Sequence, residues 1–315
     1  MIVDMHCDML SHENFSPANP AVRSSPDQLI EGGVNVQVCA LFTESQEFTT
    51  LDQQNQLFFS LIEQDERLTP IAYEPQMEGS LQMIRSVENA SGLGSDKIPL
   101  QALFQKLLIL HSQGPLAYVG LVWNFANRFG GGVLEPKRLS KDGKNLLEFL
   151  YALAIPVDLS HCSDQLTEDI LDFTVDKLPN MFILASHSNF RKVQGVARNL
   201  LDVHAKEIFA RNGVIGLNGV NYFVGESLED MRKHIAYAQE LGILDGLVLG
   251  TDFFYTDEEK FFPNFSTAKD HPKLQALIED TLSVNQARAL LAGTAQQFLT
   301  KVVTAQKSVV NTITL

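Results

Sequence analysis

Along this chain short apolar runs rich in β-formers alternate with longer segments of helical period, and that alternation limits the fold more than any other feature. It is the pattern of βα units wound around a parallel sheet. Eight strands are expected, over residues 2–8, 34–42, 81–88, 116–123, 155–161, 181–187, 214–218 and 247–252. Between them the spacing predicts helices over 51–68, 100–112, 143–154, 163–175, 203–212 and 228–241. Leu146, Leu147, Phe149, Leu150 and Leu153 share one face beside Lys144, Asn145 and Glu148, so that helix should lie against the outside of the sheet. The run 247–251 is nearly all apolar, as a strand covered on both faces must be. Eight such units predict an α/β fold of the (β/α)8 TIM-barrel type. No Pro/Ser linker, low-complexity tract or repeat divides the 315 residues, so one catalytic barrel domain over 1–315 is expected. Residues 257–270 read as a long aromatic-rich loop able to roof a pocket.

In such a barrel the C-terminal strand ends converge on one face, and here those ends are unusually polar. His6, Cys7 and Asp8 close the first strand, Glu88 the third, His161 the fifth, His187 the sixth and Asp252 the eighth. His6 and Asp8 stand two apart, so their side chains fall on one face and can hold one ion while Cys7 turns away. Imidazole with carboxylate suits zinc or a similar borderline ion; His161 and His187 could hold a second, with Glu88 able to bridge the pair. A lone strand-end histidine is ordinarily a hydrogen-bonded core or surface residue, but ligand types at four independent strand ends argue for one shared site. Asp252, delivered beside that site by an apolar strand, is suited to proton transfer. His12, His111, His204, His234 and His271 lie away from the strand ends, apart from His12 just past the first, and receive no role.

At these residues the sequence resembles the membrane (renal) dipeptidase family, zinc-dependent members of the metal-dependent hydrolase barrels, over nearly the whole chain. Residues 3–9 (Val-Asp-Met-His-Cys-Asp-Met) resemble the family's DGHNDL-like start, and residues 157–161 match its VDLSH. Ser186-His187-Ser188 followed by Arg198-Asn199 resembles its SHS and RN segments, and Gly250-Thr251-Asp252-Phe253 its GSDF. The resemblance implies two zinc ions per chain, one on His6 and Asp8, the other on His161 and His187, bridged by Glu88. It further implies a shared hydroxide that attacks the scissile carbonyl, with Asp252 shuttling the proton. Arg198 would hold the substrate's C-terminal carboxylate, since a planar guanidinium can grip it through two parallel hydrogen bonds. Family members are often dimers, so a homodimer is what the analogy suggests.

Four segments depart from the family pattern, one of them Leu200-Leu201-Asp202, which stands where Pro-Asp usually follows Arg-Asn. Glu88-Asn89-Ala90 stands for EGG; Val122-Trp123-Asn124 stands for Thr-His-Asn, whose His helps hold the carbonyl; and Phe254-Tyr255 replaces the Asp-Gly after Asp252-Phe253. Trp123 is therefore expected to line the substrate pocket, offering only an indole N–H and an apolar face. The expected activity is zinc-dependent hydrolysis of a dipeptide or similarly small amidated amino acid. The alternatives are a metal-dependent amidohydrolase acting on a non-peptide amide or lactam, and an inactive barrel that binds a small molecule or partner.

Composition excludes other classes. With 38 acidic against 24 basic residues, a net charge of −14 and no basic cluster, nucleic acid is not an expected partner. Neither a P-loop nor a GxGxxG fingerprint is found, so nucleotide cofactors are not indicated. No apolar run approaches the roughly 18 residues of a membrane span. The first residues lack the pattern of an export signal, and three cysteines form neither a CxxC pair nor an even set. A cytoplasmic protein with reduced thiols and no membrane contact is expected.

Overall fold

The computed structural model describes residues 1–11, 19–44, 46–72, 81–256 and 258–313. Among these, nine strands form one parallel sheet: β1 Ile2–Cys7, β2 Val34–Phe42, β3 Leu68–Pro70, β4 Leu81–Glu88, β5 Leu116–Gly120, β6 Val157–Asp158, β7 Ile183–Ala185, β8 Val214–Leu217 and β9 Leu247–Leu249. Eight close into a ring in the order β1, β2, β4, β5, β6, β7, β8, β9 and back to β1. The seam between β2 and β4 is the longest, running in register from Val36↔Gln82 to Phe42↔Glu88. The expected barrel is therefore present.

Two expectations need correction. β3, which pairs only with β4 among the described residues, was not anticipated; it begins where the first expected helix was to end, at residue 68. That helix spans Phe48–Gln64 instead, because Arg67 forks onto the Asp65 carboxylate (2.9 and 2.6 Å) and turns the chain into β3. The ladders of β6, β7 and β9 also stop short of the residues expected to end them. Two buried carboxylates explain this by taking backbone N–H groups that would otherwise extend the sheet. Asp158 accepts from the amides of Ser160 (3.1 Å) and Ser186 (2.8 Å), and Asp4 from those of His6 (3.2 Å) and Thr251 (2.9 Å).

Helices cover the ring. Lys141–Ala152 starts at Ser140, whose Oγ accepts from Gly143 N (2.9 Å), and buries Leu146, Leu147 and Leu150; Phe149 stays half-buried and stacks on Phe104 with centroids 4.2 Å apart. Val3, Met5, Val36, Val38, Ile84, Tyr118, Leu184, Val214 and Val248 meet in one cluster. Residues from strands all round a closed ring can meet only inside it, so this cluster is the barrel interior. Phe298, Leu299 and Val302 of the last helix, Thr294–Ile313, pack onto it. The larger apolar cluster lies between strands and helices. Among the described residues no helix is long and apolar enough to cross a membrane, and Cys7, Cys39 and Cys162 are buried free thiols.

Candidate metal centre

Three buried imidazoles converge at the C-terminal end of the ring. His6 is in β1, His187 two residues past β7, and His161 three past β6. His161 and Asp252 both adopt left-handed backbone (φ 67° and 62°), which swings their side chains back over the barrel mouth. The His6 and His187 rings stack with centroids 3.7 Å apart, and His161 Nε2 lies 3.0 Å from His187 Nε2.

The carboxylates complete the cluster. His6 Nε2 is 3.5 Å from Asp8, 3.6 Å from Glu88 Oε2 and 3.6 Å from Asp252 Oδ1. The other Glu88 oxygen, Oε1, faces His161 Nε2 at 2.8 Å and His187 Nε2 at 3.8 Å. Glu88 thus turns one oxygen to each histidine group. Three overlapping sets could hold a metal ion: His6, Asp8 and Glu88; Glu88, His161 and His187; and His6, His187 and Asp252.

Each imidazole has its far nitrogen engaged, and that fixes its tautomer. Tyr118 OH donates to Met5 O (2.8 Å), so it must accept from His6 Nδ1 (2.7 Å). Ser186 Oγ donates to Asp158 (2.5 Å), so it accepts from His187 Nδ1 (2.7 Å). Asn124 Oδ1, which can only accept, is 2.9 Å from His161 Nδ1. In the neutral rings all three Nε2 atoms therefore present bare lone pairs to one another and to Glu88. Acceptors facing acceptors at these distances call for a cation between them. Among the described residues His6 Nε2 and Asp8 Oδ1 are buried without a hydrogen-bond partner.

The electrostatics agree. Burial, reinforced by Asp8, raises the Glu88 pKa well above the carboxylate range. Burial likewise pushes Asp252 up to about 7 against the pull of His6. Burial works against charge on His6, but Tyr118, Asp8 and Glu88 outweigh it and hold its pKa well above the imidazole range; positive charge is favoured at that point. Burial lowers His161 and His187, helped by Arg198 and His6, leaving neutral rings suited to ligation. A set of three imidazole nitrogens and three carboxylates fits a divalent ion of the zinc type.

The remaining expected residues surround this centre. Arg198 is buried; it donates to Ser188 Oγ (2.7 Å) and His187 O (3.1 Å), its Nε has no partner among the described residues, and its guanidinium lies 5.7 Å from the centroid of the Phe223 ring. A cavity of about 450 Å³ opens above the cluster, with Asp8, Glu88, His161 and Asp252 on its floor and Trp123 in its wall. Phe254 and Tyr255, just before the expected roofing loop 257–270, also line it, and of the described loop residues Lys260 alone does; residue 257 and His12 lie outside the described residues. Asn89 has φ 70°, a left-handed position that Asn tolerates best after Gly, which accounts for Asn where the family pattern has Gly.

Several supporting residues were missed from the sequence: Tyr118, Asn124, Ser186, Asn218 and the pair Asp4 and Asp158. The two aspartates play matching parts. Each takes the amide of the residue two further on and both the amide and hydroxyl of a Ser or Thr that directly precedes a site residue on the neighbouring strand. The signal was the repeated Val-Asp at 3–4 and 157–158. His271, given no role from the sequence, donates from Nδ1 to Ala268 O (2.7 Å) and brings Nε2 to 3.2 Å from Asp4 Oδ2, bracing β1. Gly250 is required by packing, since a Cβ there would sit 1.9 Å from Ser186 O.

The family model described as membrane dipeptidase (peptidase family M19) matches residues 1–312. The chain belongs to the membrane dipeptidase family. Among solved structures this family member is similar to a metallo peptidase from Rhodobacter sphaeroides liganded with a phosphinate mimic of the dipeptide L-Ala-D-Ala, at 19% identity and TM-score 0.80, covering 96% of this chain and 99% of that one. It is also similar to dipeptidase AC, at 20% identity and TM-score 0.82, covering 96% and 98%. At such identities these likenesses show the barrel fold. A Klebsiella pneumoniae relative described as an uncharacterized protein in the pqqA 5' region is 28% identical over 189 residues, 55% of this chain. The match spans 65% of that relative's length, a little under two thirds.

Proposed function

We infer that this member of the dipeptidase family is a metallo-dipeptidase: it hydrolyses the amide bond of a dipeptide at a centre of two zinc ions, within one barrel domain over 1–315. The observation that carries the reading is the set of three Nε2 atoms crowded against Glu88 and Asp8, a cluster whose lone pairs and charges a bound cation would balance. His6 and Asp8 would hold one ion, His161 and His187 the other, and Glu88 would lie between them. When bound, such ions lower the pKa of water toward 7 and polarise a carbonyl oxygen.

The protein's own groups supply the rest. Asn218 Nδ2 donates to Asp252 Oδ2 (2.7 Å), which pins that carboxyl and leaves Oδ1 facing the cluster, where it can take a proton and return it to the departing amine. A raised pKa suits a group that must do both near neutral pH. Arg198, buried with an unpartnered Nε and no described carboxylate paired to it, would receive the substrate's C-terminal carboxylate. The single domain is supported by the ring, whose strands span residues 2 to 249, and by the last helix, which caps its interior.

The test is metal content of the purified protein, together with hydrolysis of a panel of free dipeptides and their C-terminal amides. About two zinc ions per chain and cleavage of free dipeptides well ahead of the amides are expected. Bound metal with no dipeptide cleaved, but with turnover of a lactam or another small amide, would move the reading to a different amidohydrolase.

A further inference from the structure

The cavity above the metal centre is walled by rings from four separate segments. Phe42 ends β2, Trp123 follows β5, Tyr222 and Phe223 follow β8, and Phe254 with Tyr255 follow β9. Phe42 and Trp123 touch, with centroids 5.4 Å apart, and Trp123 lies 5.9 Å from His161, so the aromatic wall reaches the centre itself. Charge is scarce above the floor. The cation in the lining, Lys260, is paired with Glu258, and the carboxylates at the bottom belong to the cluster. Two of the four departures from the family pattern, at Trp123 and at Phe254-Tyr255, each put rings into this wall.

We propose that the aromatic wall selects dipeptides carrying an aromatic side chain over those with only small ones. This rests on the dipeptidase reading and narrows its substrate class. Rings favour stacked or edge-on partners, and a methyl group leaves most of a cavity of about 450 Å³ to water. Burying a phenyl in place of a methyl removes enough apolar surface for roughly a tenfold gain or more. A charged side chain would meet apolar faces and an already neutralised Lys260.

Trp123 is the only tryptophan, so its fluorescence reports occupancy of the cavity apart from turnover. The experiment titrates L-Phe-L-Ala, L-Ala-L-Phe and L-Ala-L-Ala against that emission and measures kcat/KM for each on the zinc-loaded protein. The better phenylalanine dipeptide should bind about tenfold more tightly than Ala-Ala and exceed it about tenfold in kcat/KM. Phe254→Ala should shrink that ratio several-fold; Tyr222→Ala, at a position 62% exposed, provides the same comparison if Phe254→Ala fails to fold. Tight binding of the phenylalanine dipeptides with no cleavage would uphold the selection and refute hydrolysis. Ala-Ala bound and cleaved as well as the others would overturn the selection and leave hydrolysis standing. No change in emission and no cleavage with any of the three would overturn both.

Discussion

Asp252 and Tyr118 stand for the two kinds of side chain at the centre, one in reach of the reacting atoms and one behind a ligand. Asp252→Asn keeps the shape but cannot carry the proton, so kcat should fall roughly 10²–10⁴-fold with metal content unchanged; loss of metal along with activity would make Asp252 a ligand instead. Tyr118→Phe removes the oxygen that accepts from His6 Nδ1, and zinc affinity, read by chelator competition, should drop roughly 10–100-fold. Unaltered affinity would mean that the ring is held by packing alone. The residues that carry metal-type chemistry were legible because each stands near a strand end and its side-chain type speaks for itself. Tyr118 and Asn124 were not, because a hydroxyl or amide becomes a ligand's partner only once the ring forms and brings β5 to His6 and to His161; Ser186 adjoins His187 in the chain, but its hydroxyl is aimed by Asp158 of the neighbouring strand. Nothing in the local period of residue 118 distinguishes it from an ordinary buried tyrosine.

At the scale of elements, the period of the apolar runs gave the β1, β2 and β4 spans and most helices closely, since burial repeats every second or every third to fourth residue along them. The strand ends were overestimated for a different reason. Asp158 and Asp4 divert backbone amides into side-chain hydrogen bonds, and an apolar run continues past the point where its ladder has stopped. The turn after β4 shows how backbone conformation positions a candidate ligand. Asn89, at φ 70°, donates from Nδ2 to Thr43 O (2.9 Å) and accepts from Ser91 Oγ (2.8 Å), which holds the chain directly after Glu88. Asn89→Gly should cost about 1–2 kcal/mol in urea unfolding, from the lost hydrogen bonds. Asn89→Val should cost more, because a β-branched residue is strained in that conformation by about a further 1–2 kcal/mol. Equal losses would mean that the left-handed backbone is not what Asn89 provides.

For the whole molecule, the barrel followed from counting units, whereas its closure at the lower end did not. The last helix was not singled out from the sequence, because its contact with the ring is long-range: Phe298, half of a T-shaped pair with Phe182 at 6.1 Å, joins residues 116 positions apart onto the interior cluster. Phe298→Ala should therefore destabilise the whole domain by about 3–5 kcal/mol in a single cooperative transition, while leaving the metal affinity of the folded protein near that of the parent. Loss of the terminal helix alone, with the barrel still folded, would show that the helix is an accessory. The same ring brings His6, Asp8, Glu88, His161 and His187 together from four separate strands, and the account stands on that convergence holding metal. The direct measurement is a crystal structure of the zinc-loaded protein with anomalous data collected on both sides of the zinc edge. The account predicts two anomalous peaks about 3.5–4 Å apart, one against His6 and Asp8, the other against His161 and His187, with Glu88 reaching both. Zinc-loaded crystals with no peak among these five residues would contradict it.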